Sequence, residues 1–376
     1  MPFDVVEVAR QIEESKPHAR ARADERLSAI REAVRIYNHE DHAEWEQRVQ
    51  SATMRRWAGV PISPLRTHIQ HPYSMPDYCV VATDSSFIPP DKHRGSFCHL
   101  INVGRVMIRY GDHPGAELDS TPRHSADPLS DDEEAGAGRV LQARCALREL
   151  QELYELARLY HPHLALLDGS LMQLVLVLSK EPDVVELMGE YFRILAAFQD
   201  IGVPVVGYIS RPESEMVMRA MRMLACDRPT PCEKRPADPC GCRPLWAIND
   251  SQLFEELLSP GQTSPIFQPV FSYLVGANAQ GFRQLVFTYL STRYEVARLE
   301  FPAWIRQDGL LERTISIVLH QCELGDGYPH SLTRAHQFAV LHGTDRQNYY
   351  FMLERAGLMQ SPTEKAHSKQ AAGHSI

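Results

Sequence analysis

Several things are scarce in this chain, and each scarcity excludes a class of protein. No apolar run approaches the roughly 20 residues a membrane span needs, so no membrane association is expected. There is no basic excess: 39 Lys and Arg face 48 Asp and Glu, for a formal net charge of -9. No overall positive field therefore advertises nucleic-acid binding, and a polyanion would have to be met by a local basic groove or an oligomeric channel. The opening stretch MPFDVVEVARQIEESKPH has neither the apolar core of a signal peptide nor a basic amphipathic character, so a cytoplasmic protein is expected. In that compartment the eight cysteines are thiols or metal ligands rather than disulfides. Internal repeats are absent.

What is present is a globular chain of 376 residues, 44% hydrophobic and 23% charged, long enough for one large domain with additions or for two. Its organising stretch is Tyr78–Ser86 (YCVVATDSS), a β-branched apolar run ending in an acid and two small hydroxyl residues. Leu164–Ser170 (LALLDGS) repeats the design. Apolar runs with little alternation read as central strands covered on both faces. An acid ending each one leaves two carboxylates at the rim of one sheet, where they repel unless a proton or a cation lies between them. A divalent metal resolves the repulsion and can activate water. Asp84 and Asp168 are therefore the first candidate ligands. A lone Asp at a strand end is usually a turn or a cap; the repetition is what speaks for chemistry. Ser85 and Ser170 leave room for backbone N–H groups to approach a phosphate.

Around these runs the pattern predicts an α/β fold with a mixed sheet. Residues 1–58 read as a charged helical arm, with Leu27, Ile30, Val34 and Ile36 on one face. A connector over 59–76 leads into the main domain, 59–358. Within it, strands are expected at 78–84, 96–103 and 106–110, the last two joined by a tight turn at Gly104-Arg105. The polar stretch 112–138 reads as a long loop with room for a short strand, and a helix follows over 139–160 with Leu141, Cys145, Leu150, Leu153 and Ala157 as its core stripe. After strand 164–168 come an apolar segment at 171–178, a helix at 183–200, a strand at 204–209 and a helix at 213–225. Downstream of a Cys/Pro-rich insert at 226–244 the expectation is a helix at 248–258, a strand at 270–275, a hairpin of 285–290 with 294–299, and a helix at 309–322. A turn-rich loop at 325–329 precedes helices at 331–342 and 344–356, and a disordered tail is expected over 359–376.

A third carboxylate is expected from helix 139–160, which offers Glu149, Glu152 and Glu155. Spacing by threes spreads them over adjacent parts of the helix surface, and periodicity cannot select one. Proximity to Asp168 makes Glu152 the first choice and Glu149 the second. Tyr328, in the loop, and His336, in the helix beyond, complete the candidates. A histidine titrating near neutrality can serve as acid or base, although a lone helical His is more often structural.

The Asp84-Ser85-Ser86 strand end, Leu167-Asp168-Gly169-Ser170 and Tyr328-Pro329 with Ala335-His336 resemble, in this order, the acidic and Tyr/His motifs of the NurA-domain nucleases. The resemblance implies an RNase H-like core and a manganese-dependent exo- and endonuclease acting on DNA. It implies a homodimer partnered by a HerA-type hexameric ATPase in double-strand break end processing. Asp84, Glu152 and Asp168 would then bind Mn2+ at a two-ion site that Tyr328 and His336 complete. Ser85 stands where the family commonly has Gly, and Arg211, after strand 204–209, stands where it usually has Lys, a position that by the resemblance would hold a phosphate. Two other functions stay open: an inactive binding module for a motor ATPase, and a metal-dependent phosphatase of small substrates. Separately, Cys226, Cys232, Cys240 and Cys242 lie close enough in sequence to wrap a structural Zn2+. Their spacing fits no standard CxxC pair, so an iron–sulfur cluster and unliganded or disulfide-forming thiols remain alternatives.

Overall fold

The computed structural model describes residues 4–39, 42–51, 57–73, 75–91, 95–126, 134–172, 182–228, 231–270, 281–307 and 309–359. In chain order the elements are α1 (Val5–His39), α2 (His42–Ser51), β1 (Ala58–Pro61), β2 (Ile69–Gln70), β3 (Tyr78–Ile88), β4 (His99–Tyr110), β5 (Gly115–Ser125), α3 (Glu134–Tyr160), β6 (Leu164–Asp168), α4 (Pro182–Asp200), β7 (Val205–Ile209) and α5 (Met216–Leu224). They continue with α6 (Asp250–Leu257), β8 (Gln262–Thr263), β9 (Phe267–Val270), β10 (Leu285–Ser291), β11 (Val296–Pro302), α7 (Leu310–Leu324), α8 (His330–Ala339) and α9 (Gly343–Arg355). Two compact units form, one from Met1–Tyr73 with Ile209–Ala303, the other from Ser74–Tyr208 with Trp304–Ile376.

In the second unit the strands lie in the order β7-β6-β3-β4-β5. The β3–β4 and β4–β5 pairs are antiparallel, while β6 is parallel to both β3 and β7. Three antiparallel strands, then a helix, then two parallel strands give an RNase H-like mixed sheet flanked by helices. The sequence builds its centre directly: Tyr78–Thr83 and Leu164–Leu167 are all buried, so β3 and β6 can only lie inside. Helix α3 covers them with the expected stripe, as Leu141, Cys145, Leu150, Leu153 and Ala157 are all buried. Thr83, itself buried, donates to the Glu149 carbonyl at 3.2 Å and ties α3 to the sheet.

The first unit has its own sheet path, β1-β9-β10-β11, with β2 and β8 paired beside it. Its centre holds a set of buried charges matched acid to base. Asp250 accepts from Tyr289 Oη at 2.6 Å and from the Val217 and Met218 N–H groups, and Arg298 pairs with Glu300 at 2.8 Å. Buried charges are tolerated when matched in this way. The expected arm does not stand apart from this body. Ala29, Ala33, Ile36 and Tyr37 of α1 are buried, whereas Leu27 is exposed. Tyr37 donates to the Leu65 carbonyl at 2.8 Å and meets Trp45 and Phe254 edge-on. The two units thus divide the chain along other lines than 1–58 and 59–358.

Three local expectations are corrected. The connector at 59–76 contains β1, which pairs with β9 from Ala58↔Val270 to Pro61↔Phe267, and β2, which pairs with β8. The loop at 112–138 contains not a short strand but the 11-residue β5, which runs beside β4 from His99↔Ser125 to Arg109↔Gly115. It is a largely exposed edge strand, so it lacks the apolar alternation that marks a strand in sequence. Finally, no turn interrupts 96–110, because Gly104 is the middle of the continuous strand β4. Residues 173–178, 271–275 and 360–376 of the expected elements lie outside the described residues.

Gly104 is there for contact rather than for turning. A Cβ on it would lie 2.1 Å from the Ala335 carbonyl oxygen and 2.6 Å from the Ala339 nitrogen, both backbone atoms of α8. A glycine inside a strand commonly marks such a close approach. Around it, Asn102 Nδ2 donates to the Phe338 and Ala339 carbonyls at 3.0 and 2.9 Å, and Ser86 Oγ donates to the Ala339 carbonyl at 2.5 Å. These bonds satisfy carbonyls that the helix end leaves open and seat α8 on the sheet. Gly104→Ala should therefore destabilise the protein by about 1–3 kcal/mol, the usual range for overpacking, read as a lower midpoint in denaturant. An unchanged midpoint would show that α8 does not rest on β4 as described.

Candidate active site

The β3–β6 register runs from Val80↔Leu164 to Thr83↔Leu167. One step further it brings Asp84 beside Asp168, on neighbouring parallel strands, where partners in register face the same side. Directly across β3 on its other flank, Asp84 pairs with Gly104. The absent side chain there lets α8 approach and carries His336 to the acid. His336 Nδ1 lies 2.7 Å from Asp84 Oδ2. A carboxylate only accepts, so Nδ1 donates and Nε2 is left unengaged by this bond. The imidazole is 63% exposed and the Asp84 side chain 15%, so the pair sits at the mouth of the site.

Of the three glutamates on α3, the structure brings Glu149 to the cluster. Ser85 Oγ donates to Glu149 Oε2 at 2.9 Å, and the Ser85 N–H donates to Asp84 Oδ1 at 2.8 Å. Glu152 faces a different neighbour: Arg105 Nη1 reaches its Oε2 at 3.2 Å, and Arg148 holds its Oε1. Glu155 is exposed and pairs with Arg158 at 3.5 Å. A three-residue step turns the side chain through most of a helical turn, which is enough to move Glu152 off the end of β3.

Loop geometry places the rest. After Asp168 the chain reverses at Gly169 (φ +99°), whose N–H donates to the Tyr208 carbonyl at 2.9 Å. That reversal packs against Gly207, where a Cβ would lie 2.5 Å from the Gly169 carbonyl oxygen. Ser170 Oγ accepts from the Met172 N–H at 3.1 Å and so shapes the same turn. The turn before α8 takes positive φ at Asp326 and Gly327. It presents Tyr328 edge-on to Tyr208, ring centroids 5.4 Å apart, with the phenol hydrogen-bonded to Asp168. Arg211 belongs to the first unit. Its backbone N–H donates to Glu295 Oε2 at 3.1 Å, and its side chain is 89% exposed.

The electrostatics are those of crowded acids. Burial pushes the Glu149 carboxyl well above the usual range, the Asp84 charge adds to the shift, the Ser85 hydroxyl opposes it, and Asp168 raises it further. Burial likewise raises Asp168, while the Tyr328 phenol opposes, Asp84 raises and His336 lowers. Glu149 Oε1 is buried without a hydrogen-bond partner. An orphaned carboxylate oxygen among like charges, with a histidine alongside, is a donor set suited to a hard divalent cation. Among the described residues only the four insert cysteines have all their ligand atoms within 4.8 Å of one another.

The NurA domain model matches residues 79–341. The chain belongs to the NurA domain family. In overall fold it is similar to the NurA nuclease from Sulfolobus solfataricus, at 13% identity and a TM-score of 0.51, with 94% of this chain and 97% of that one covered. A structure of NurA with manganese aligns at 9% identity over 76% of this chain and 91% of that one, TM-score 0.38. The catalytic domain of human Endonuclease V aligns at 12% identity over 75% and 85%, TM-score 0.33. Neither of these two adds to the fold assignment. No curated protein matches the chain. The site just described lies wholly inside the NurA domain. No helix among the described residues is long and apolar enough to cross a membrane.

The sequence alone does not single out Asn102, nor does it show that Gly104 and Ser86 join it in seating α8. The glycine is visible in the sequence only as a candidate turn with Arg105.

Proposed function

We propose that this NurA-family chain is a metal-dependent deoxyribonuclease whose ligands are Asp84, Glu149 and Asp168. The supporting observation is the meeting of these three acids at one end of β3 and β6, with His336 hydrogen-bonded to the first of them. Glu149 takes the place that spacing gave to Glu152, because Glu152 is already neutralised by Arg105 and Arg148.

A divalent cation held there supplies Lewis acidity toward a phosphoryl oxygen and an acidified water. The chain's own groups do the remainder. Asp84 fixes the His336 ring through Nδ1, leaving Nε2 to take a proton from the attacking water or give one to the departing oxygen. Tyr328 orients the Asp168 carboxylate. Ser85 holds Glu149 and Asp84 at once, so its hydroxyl and N–H space two ligands rather than bind phosphate. Ser170 remains the small residue that leaves room for the substrate backbone. Arg211, whose side chain is exposed, is a candidate phosphate ligand on the first unit taken by itself.

Within this reading the metal is Mn2+, in a two-ion site, and the substrate is DNA cut from ends and internally. The protein acts as a homodimer with a HerA-type hexameric translocase in double-strand break end processing, in the cytoplasm. These finer points rest on family membership and on the motif order. Linear duplex and single-stranded DNA, incubated with Mn2+ or with EDTA and resolved on a gel, test the core of it. Cleavage with Mn2+ and none with EDTA is expected. No cleavage with any divalent ion, or phosphate release from nucleotides with DNA left whole, would overturn the proposal.

A further inference from the structure

The first unit carries a second constellation that the nuclease reading does not use. Cys226, Cys232, Cys240 and Cys242 come from distant turns of the insert, yet their sulfurs all lie within 4.8 Å of one another. The Cys226–Cys232, Cys226–Cys240 and Cys240–Cys242 separations are 3.8, 3.7 and 3.4 Å. A tetrahedral Zn2+ with Zn–S bonds of about 2.3 Å holds its sulfurs about 3.8 Å apart. None of the four is in a disulfide. We propose that these four thiols form a structural zinc site that fastens the insert to the body of the first unit.

The surrounding backbone is shaped to bring the two ends of the insert together. A Cβ on Gly241 would lie 2.4 Å from the Ala225 carbonyl oxygen, so only glycine lets the Cys240–Cys242 turn close on the end of α5. The Gly241 N–H donates to Asp227 Oδ2 at 2.7 Å across the same closure. Beyond the turn, buried Arg222 donates to the Leu245 and Ile248 carbonyls at 3.0 and 3.3 Å and lies 4.3 Å over the Trp246 ring. Between the second and third cysteines, Arg235 pairs with Glu25 of α1. The metal would thus anchor a loop that in turn holds the long first helix.

The chemistry balances without a redox step. Each thiol loses its proton to solvent as it binds, and the resulting tetrathiolate centre carries a double negative charge. In the same segment Arg228, Lys234, Arg235 and Arg243 stand against Asp227, Glu233 and Asp238, with Arg228 paired to Asp238 and Arg235 to Glu25. Four protein ligands close the coordination sphere and leave no open position, which marks a structural rather than a catalytic zinc. The spacing fits no standard motif; the folded loop brings the sulfurs to near-tetrahedral separations all the same.

Metal analysis of the full-length protein, purified without chelator, should find one zinc per chain, released when a mercurial titrates the thiols. A Cys240→Ser, Cys242→Ser double variant should lose it, whereas Cys145→Ser, at a buried thiol elsewhere, should keep it. If the double variant fails to fold, cobalt exchanged into the wild-type protein decides the matter through the intense visible bands of a tetrahedral tetrathiolate. Stoichiometric iron in place of zinc, disulfides among the four cysteines on peptide mapping, or cobalt spectra without thiolate character would overturn the proposal.

Discussion

Asp84→Asn and Asp168→Asn should each lower metal-dependent DNA cleavage by about a thousandfold or more while raising the thermal stability of the metal-free protein. The first effect follows from losing a ligand whose cation is worth several kcal/mol of transition-state stabilisation, at about 1.4 kcal/mol per decade of rate. The second follows from the repulsion already present. Glu149 and Asp168 are held above the ordinary carboxylate range, in each case chiefly by burial and then by the neighbouring acids. A carboxyl that binds its proton more tightly folded than unfolded favours folding at low pH. It loses that contribution as pH rises through the elevated folded value. The metal-free protein should accordingly lose stability as pH rises above the ordinary carboxylate range, and asparagine at either position should blunt the loss. Added Mn2+ should reverse the order, stabilising wild type by mass action and the variants little. Melting curves in EDTA and in Mn2+, at acidic and at mildly alkaline pH, read all of this. A variant that melts lower than wild type in EDTA and still responds fully to Mn2+ would contradict the cluster as drawn.

The second large effect separates two glutamates that sequence spacing treats alike. Glu149→Gln should abolish cleavage to a similar degree, because it removes a buried ligand while keeping the partner of the Ser85 hydroxyl. Glu152→Gln should leave the rate within about tenfold of wild type, since its carboxylate is occupied by Arg105 and Arg148. Both arginines keep some contact with solvent, at 22% and 25% exposure, so unpairing them should cost only about 1 kcal/mol of stability. Single-turnover rates on one DNA substrate, with folding monitored in parallel, provide the comparison. Equal losses in the two variants would return Glu152 to the site.

What could be read from the sequence follows what each residue's role demands of its neighbours in the chain. The central strands were legible because burial on both faces forces an unbroken apolar run, as in Tyr78–Thr83 and Leu164–Leu167. Asp84 and Asp168 were legible because an acid can end such a run only at its rim. The α3 stripe was legible from helical periodicity, but the same periodicity made Glu149 and Glu152 equivalent until β4 supplied Arg105 beside one of them. Strand β5 left no pattern, since an exposed edge needs no apolar face. Gly104 was taken for a turn because a glycine's reason for being in a strand lies in whatever packs on it. Here that is the backbone of α8, more than 200 positions downstream.

The most direct test is to locate bound manganese. Crystals grown with Mn2+ and measured at the manganese absorption edge should show an anomalous peak in contact with the carboxylates of Asp84, Asp168 and Glu149. A peak held by Glu152, a peak away from the ends of β3 and β6, or none at saturating Mn2+ would contradict the account.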